Sequence, residues 1–105
     1  MNKPIAFELM GNIDQAIVGY EKFIEVFPED PEGLYGIGRM YHLKGDYEQA
    51  LESTIQALIG YSKINSPYVN DAKANLGLYY RELKEKGQIE VWDTFAKKYN
   101  INVED

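Results

Sequence analysis

Gly45 stands 34 residues after Gly11, and both glycines open the same short pattern. Gly11-Asn12-Ile13-Asp14-Gln15-Ala16 and Gly45-Asp46-Tyr47-Glu48-Gln49-Ala50 share Gly-x-apolar-acid-x-Ala. Self-similarity at a period of roughly 20–50 residues is the mark of a chain built from stacked units rather than a closed globule. Each unit buries its apolar face only against its neighbours, and the stack leaves long curved surfaces exposed.

The breaks between apolar segments predict what the units are made of. Gly11-Asn12, Pro28 to Pro31, Gly45-Asp46, Asn65-Ser66-Pro67 and Gly87-Gln88 divide the chain into six segments. In each, apolar residues recur three and four apart, the period of a helix with one buried stripe, and alternation of strand type is absent. Helices are expected over about 4–10, 13–27, 31–44, 47–64, 67–86 and 88–99. Asp30 followed by Pro31 is a strong start signal, and Gly45 is a C-terminal stop. Pro28 ends the second helix, because proline disfavours helical geometry in the residue before it. The fold class expected is all-α, a solenoid of helical hairpins with about six antiparallel helices. One domain is expected over 1–99, with units at about 4–28, 31–64 and 67–99, followed by an acidic tail at 100–105.

Composition narrows the function. A formal net charge of −6 supplies no basic stripe for nucleic acid or an acidic membrane surface. With no cysteine, thiolate metal sites, disulfides and cysteine nucleophiles are excluded. No apolar run approaches the length that spans a bilayer, and Met1-Asn2-Lys3-Pro4 lacks the features of a signal peptide, so a cytoplasmic location is expected. His42 is the single histidine; alone it makes neither a metal site nor a catalytic triad. Glu29, Asp30 and Glu32 gather at a helix start, where carboxylates favour the helix dipole, and no calcium-loop pattern surrounds them. Gly33, Gly36 and Gly38 fall inside a helix as packing glycines and form no phosphate loop. No enzymatic activity, no cofactor and no metal are expected.

The residues resemble tetratricopeptide repeats, whose pattern is W-x2-L-G-x2-Y, then A-x3-F, then P. In the middle unit Leu34 takes the Trp position, Ile37, Gly38 and Tyr41 take L-G-Y, and Gly45, Tyr47, Ala50 and Ala57 follow. In the third, Leu76, Gly77 and Tyr80 take L-G-Y, and its longer opening is similar to kinesin-light-chain-type repeats. Only the second half of the first unit matches, through Gly11, Ile13, Ala16, Tyr20, Phe23 and Pro28. On this register Gly38 and Gly77 admit a neighbouring helix closely, and Tyr41, Tyr47 and Tyr80 fill the space left by small residues. Three departures stand out. Lys73 occupies the position of Leu34, Trp92 stands where a small Ala is expected so that the last hairpin should splay, and Pro4 falls where the first glycine should be.

The resemblance implies a non-catalytic protein-interaction module that holds a peptide or partner helix in its concave groove. Carrying the groove positions over selects Tyr35, Arg39 and His42 on the third helix, and Asn75, Leu78 and Arg81 on the fifth, beside Asp71 and Ala74. The clamp by which some relatives hold a terminal carboxylate is not expected, since its positions read Gly36, Asp71 and Asn75. The alternative is self-assembly as a homodimer or oligomer through apolar terminal helices, with Phe7, Met10, Trp92 and Phe95 exposed at the ends.

Overall fold

A computed structural model describes residues 12–101. It comprises α1 (Ile13–Val26), α2 (Pro31–Lys44), α3 (Tyr47–Lys63), α4 (Val69–Glu85) and α5 (Ile89–Tyr99). No strand occurs among the described residues. The helix expected over 4–10 lies outside them, together with Phe7 and Met10.

The ends of the helices are set locally. Asp30 accepts the Glu32 amide at 3.0 Å with Pro31 in the first helical turn, and Asp46 accepts the Gln49 amide at 3.2 Å. Each satisfies an amide that the first turn otherwise leaves unpaired. Gly45 closes α2 with φ 87°, while its own N–H reaches His42 O and the Asp46 N–H reaches Tyr41 O. That left-handed closure suits glycine, which has no Cβ to collide. The start of α4 differs from the expected one. Ser66 Oγ accepts the Tyr68 amide at 3.1 Å, but Pro67 and Tyr68 form a turn and the helix begins at Val69.

Among the described residues, three apolar clusters hold the helices together. Ile17 of α1 packs with Ile37 and Met40 of α2. Ala57 and Tyr61 of α3 meet Ala72 of α4, with Leu34 and Tyr35 of α2 against them. The largest cluster joins Ala50, Leu51 and Ile55 of α3 to Leu76, Tyr79 and Leu83 of α4 and Trp92 of α5. Close approach at α2 depends on its glycines. A Cβ on Gly36 would overlap the Tyr20 ring, one on Gly33 would lie 2.7 Å from the Phe23 ring, and one on Gly38 2.5 Å from Thr54 Oγ1. α1 and α3 thus seat on glycines of α2, where any side chain would push them outward.

Two expectations for the third unit are corrected by this packing. A Cβ on Gly77 would meet no atom within 4 Å, so this glycine admits no neighbouring helix. The buried stripe of α4 is Ala72, Leu76, Tyr79 and Leu83. Ala72, not Lys73, supplies the first anchor, and Tyr79, not Tyr80, is the fully buried aromatic. The second correction concerns Trp92. It is only 4% exposed, with the Tyr80 ring edge-on at 5.2 Å. Tyr80 and Trp92 share the space that the repeat pattern assigns to a small residue, so the indole belongs to the core and not to an apolar end. Phe95 is half-buried against the same cluster.

The last helix is also tied down by polar contacts. Tyr99 Oη donates to Glu52 Oε2, Lys98 Nζ lies 3.2 Å from Glu52 Oε1, and Gln56 Nε2 donates to Glu52 Oε2 at 2.6 Å. Burial raises the Glu52 carboxyl pKa, but these donors outweigh it and leave the group below the usual range. Asn100 ends α5 in the left-handed conformation, and the Ile101 N–H returns to Ala96 O, which brings Ile101 against the core.

Candidate protein-interaction face

Tyr35, Arg39 and His42 follow one another at i, i+4 and i+7 and share a face of α2, turned away from Ile37 and the α1 interface. Their side chains fare differently. Tyr35 is half-buried, its ring edge-on to Tyr61 at 6.2 Å, which fixes the start of the face. Arg39 is exposed and joins no salt bridge among the described residues. His42 is drawn into the seam with α4. Its ring lies 4.6 Å from that of Tyr79, and its Nε2 lies 2.8 Å from Glu82 Oε1.

Glu82 is the residue beside this face that the repeat register misses, since that register selects its neighbour Arg81. Besides His42, it accepts the Tyr47 hydroxyl at 2.5 Å, so one carboxylate connects α2, α3 and α4. The Tyr47 and His42 hydrogen bonds hold the Glu82 carboxyl below the usual carboxylate range, against the opposing effect of burial. Tyr47 responds in the opposite sense: burial, reinforced by the neighbouring carboxylate, pushes its phenol up to about 12. The sequence signal was present, because Asn75, Leu78 and Glu82 also follow at i, i+3 and i+7.

On α4, Asn75 and Leu78 are half-buried, with Leu78 packed on the main cluster. Arg81 is exposed on the outer margin, about 60° beyond Leu78 at 100° per residue. Like Arg39, it makes no salt bridge among the described residues. Of the residues expected on this face, His42 reaches across to Tyr79 and Glu82 of α4, Tyr35 packs on Tyr61 of α3, and Leu78 packs on the main cluster. Among the self-association candidates Trp92 is enclosed, Phe95 is half-covered, and Phe7 and Met10 lie outside the described residues.

The described residues hold no group of three or more His, Cys, Asp or Glu placed to bind a metal ion. No described helix is long and apolar enough to cross a membrane. The His42–Glu82 pair joins α2 to α4.

Comparison with known families agrees with this architecture. Two sequence profiles described as tetratricopeptide repeat match, one over residues 5–30 and the other over residues 20–52. No curated protein and no solved structure matches the chain. The second profile spans the latter half of α1, all of α2 and the first turns of α3, where Gly33, Gly36 and Gly38 seat the neighbouring helices. Repeats of this kind serve protein–protein interaction, and residues 5–52 of the chain match tetratricopeptide repeats, with helix pairs packed through small residues in the described part of that region.

Proposed function

We propose that the protein is a non-catalytic adaptor that captures an extended segment or a helix of a partner protein across α2 and α4. Tyr35 and Leu78 supply apolar contact, while Arg39, Asn75 and Arg81 supply hydrogen bonds. The observation that carries this reading is the state of the arginines. The chain has two, Arg39 and Arg81, among 17 acidic residues. Both are exposed, and neither is spent on an internal ion pair among the described residues. Guanidinium groups left unpaired in an acidic protein are suited to carbonyl, carboxylate or aromatic groups of a partner. His42 serves this face indirectly, by fixing α4 against α2 through Glu82.

The test is the double variant Arg39→Glu with Arg81→Glu, compared with Val18→Ser on the exposed side of α1. Each partner recovered with the parent protein is purified and its affinity measured by calorimetry. Binding should weaken at least about ten-fold in the double variant and stay unchanged in Val18→Ser. Retention of every partner at parental affinity by the double variant overturns the reading.

A further inference from the structure

Away from the Tyr35–Arg39–His42 face, the α1–α2 turn and the second half of α3 enclose a shallow cleft of about 510 Å³. Pro28, Pro31, Leu34, Ile59, Gly60 and Ile64 form its apolar lining. The approach of the two walls is set at Gly60, where a Cβ would lie 3.0 Å from Pro31 Cβ. Two of its bulky apolar lining groups are left in water, Ile59 at 41% and Ile64 at 64% exposed, while Val26 and Phe27, just before Pro28 in the chain, are 67% and 54% exposed. Single apolar residues are exposed routinely; two that line one cleft, with an exposed pair just before its first proline, mark a surface suited to docking.

Charge indicates what docks there. On the turn wall Glu29 lines the cleft, Asp30 and Glu32 follow it closely in the chain and Glu25 precedes it by four residues, and none of the four is in a salt bridge among the described residues. Asp30 spends one oxygen on the Glu32 amide. The facing α3 wall offers Lys63 and Gln56 to the cleft. The two sides therefore differ: apolar floor, carboxylates along one edge, a single ammonium on the other. A second copy of this acidic chain would bring like charge to that edge, which long-range repulsion disfavours.

We propose that this cleft is a second docking surface, for a partner segment in which bulky apolar side chains are flanked by lysine or arginine. The apolar side chains enter between Pro31 and Ile59, and the flanking cations lie over Glu25, Glu29 and Glu32. The surface is independent of the α2–α4 face, so the protein can hold two segments at once and bring two partners together. None of the cleft residues belongs to the other face, and the two proposals stand or fall separately.

The probe is a set of synthetic peptides carrying paired leucine or phenylalanine at helical or extended spacing, with lysine flanks, and their glutamate-flanked twins. Binding to the full chain is followed by NMR, reading the Ile59 and Ile64 methyls, the Gly60 amide and, as the reference for the other face, Arg39 and His42. At least one lysine-flanked peptide should produce saturable shifts at Ile59, Ile64 and Gly60, and bind at least about ten-fold more tightly than its glutamate twin. The preference should shrink between about 0.1 and 1 M salt, as the screening length falls from ~10 to ~3 Å. Ile59→Ser with Ile64→Ser should abolish the shifts; Glu25→Lys with Glu29→Lys should remove the preference while the floor still accepts the peptide. All four side chains are exposed or half-free, so circular dichroism should show unaltered helix in both variants. The proposal is overturned by no saturable shift with any lysine-flanked peptide, by equal affinity for the twins, or by shifts confined to Arg39 and His42. Movement of the Ile59 and Ile64 signals with protein concentration alone would assign the cleft to a second copy and overturn it as well.

Discussion

Gly38 and Thr54 meet where α2 crosses α3, so closely that a Cβ on Gly38 would lie 2.5 Å from Thr54 Oγ1. Thr54 is fully buried, and its backbone N lies 3.3 Å from the same point, so neither atom has room to retreat. The repeat pattern assigns Gly77 the same job one unit later, yet nothing lies within 4 Å of its Cβ position. Identical motif positions thus carry different physics, and substitution separates them.

Gly38→Ala should destabilise the fold by about 1–3 kcal/mol, the usual cost of forcing a methyl group into a packed contact. Gly77→Ala should stabilise it by about 0.5–1 kcal/mol, since a helix-interior glycine gains from a side chain that meets no obstruction. Urea unfolding followed by circular dichroism gives both values. Thr54→Ala should return part of the Gly38→Ala loss in a double-mutant cycle, because the two side chains compete for one space. Equal effects at Gly38 and Gly77 would contradict the packing described.

Acid should loosen the α2–α4 seam and the α5 attachment before it unfolds the rest. Glu82 and Glu52 both titrate below the ordinary glutamate range in the fold. A depressed carboxyl pKa contributes stability above the unfolded value of about 4.3, and that contribution is lost as pH falls through the folded value. Unfolding free energy measured from pH 7 downward should therefore drop below about pH 4.5. Glu82→Gln and Glu52→Gln should each lower stability at neutral pH and flatten the acid-side slope. An unchanged slope in both variants would show that other carboxylates carry the effect.

Base should act on a different set of groups. Burial first of all pushes the phenols of Tyr47, Tyr61 and Tyr79 up to about 12. With folded pKa above the unfolded value of about 10, these tyrosines contribute stability that is complete below pH 10 and is lost on the way to about pH 12. Absorbance at the tyrosinate band should show an early group from the nine tyrosines and a late group that ionises together with loss of helix. Complete ionisation near pH 10 with the helix intact would contradict their burial.

Trp92 is the single tryptophan, so its fluorescence reports one site. Enclosed at 4% exposure beside Tyr80, it should emit at short wavelength and resist quenching by acrylamide, with a red shift on unfolding. Trp92→Ala should destabilise the protein by about 3–5 kcal/mol, the range for emptying a large aromatic site. A native indole open to quencher would return it to the surface.

Repeat spacing, helix pattern and most helix ends were readable from the chain because their causes are local. Asp30-Pro31, Asp46 and Gly45 act on amides and carbonyls within four residues of themselves, so sequence neighbours already contain the answer. α4 shows where that reading ends. Leu76, Gly77 and Tyr80 keep the register of Ile37, Gly38 and Tyr41, yet Gly77 meets no neighbouring helix and Trp92 fills a place that the repeat pattern leaves for a small side chain.

The candidate face divides along the same line. Tyr35, Arg39 and His42 could be placed on one side of α2 from their spacing alone, because a helix repeats every 3.6 residues whatever surrounds it. That His42 would turn to Glu82, 40 residues away, and share that carboxylate with Tyr47 depended on how three helices cross. Sequence alone determined the helices and the repeat they belong to, since hydrogen bonds within a helix and caps at its ends involve near neighbours. Tertiary structure alone decided which faces are sealed and which remain free, because burial is shared between residues that meet only after the helices have packed.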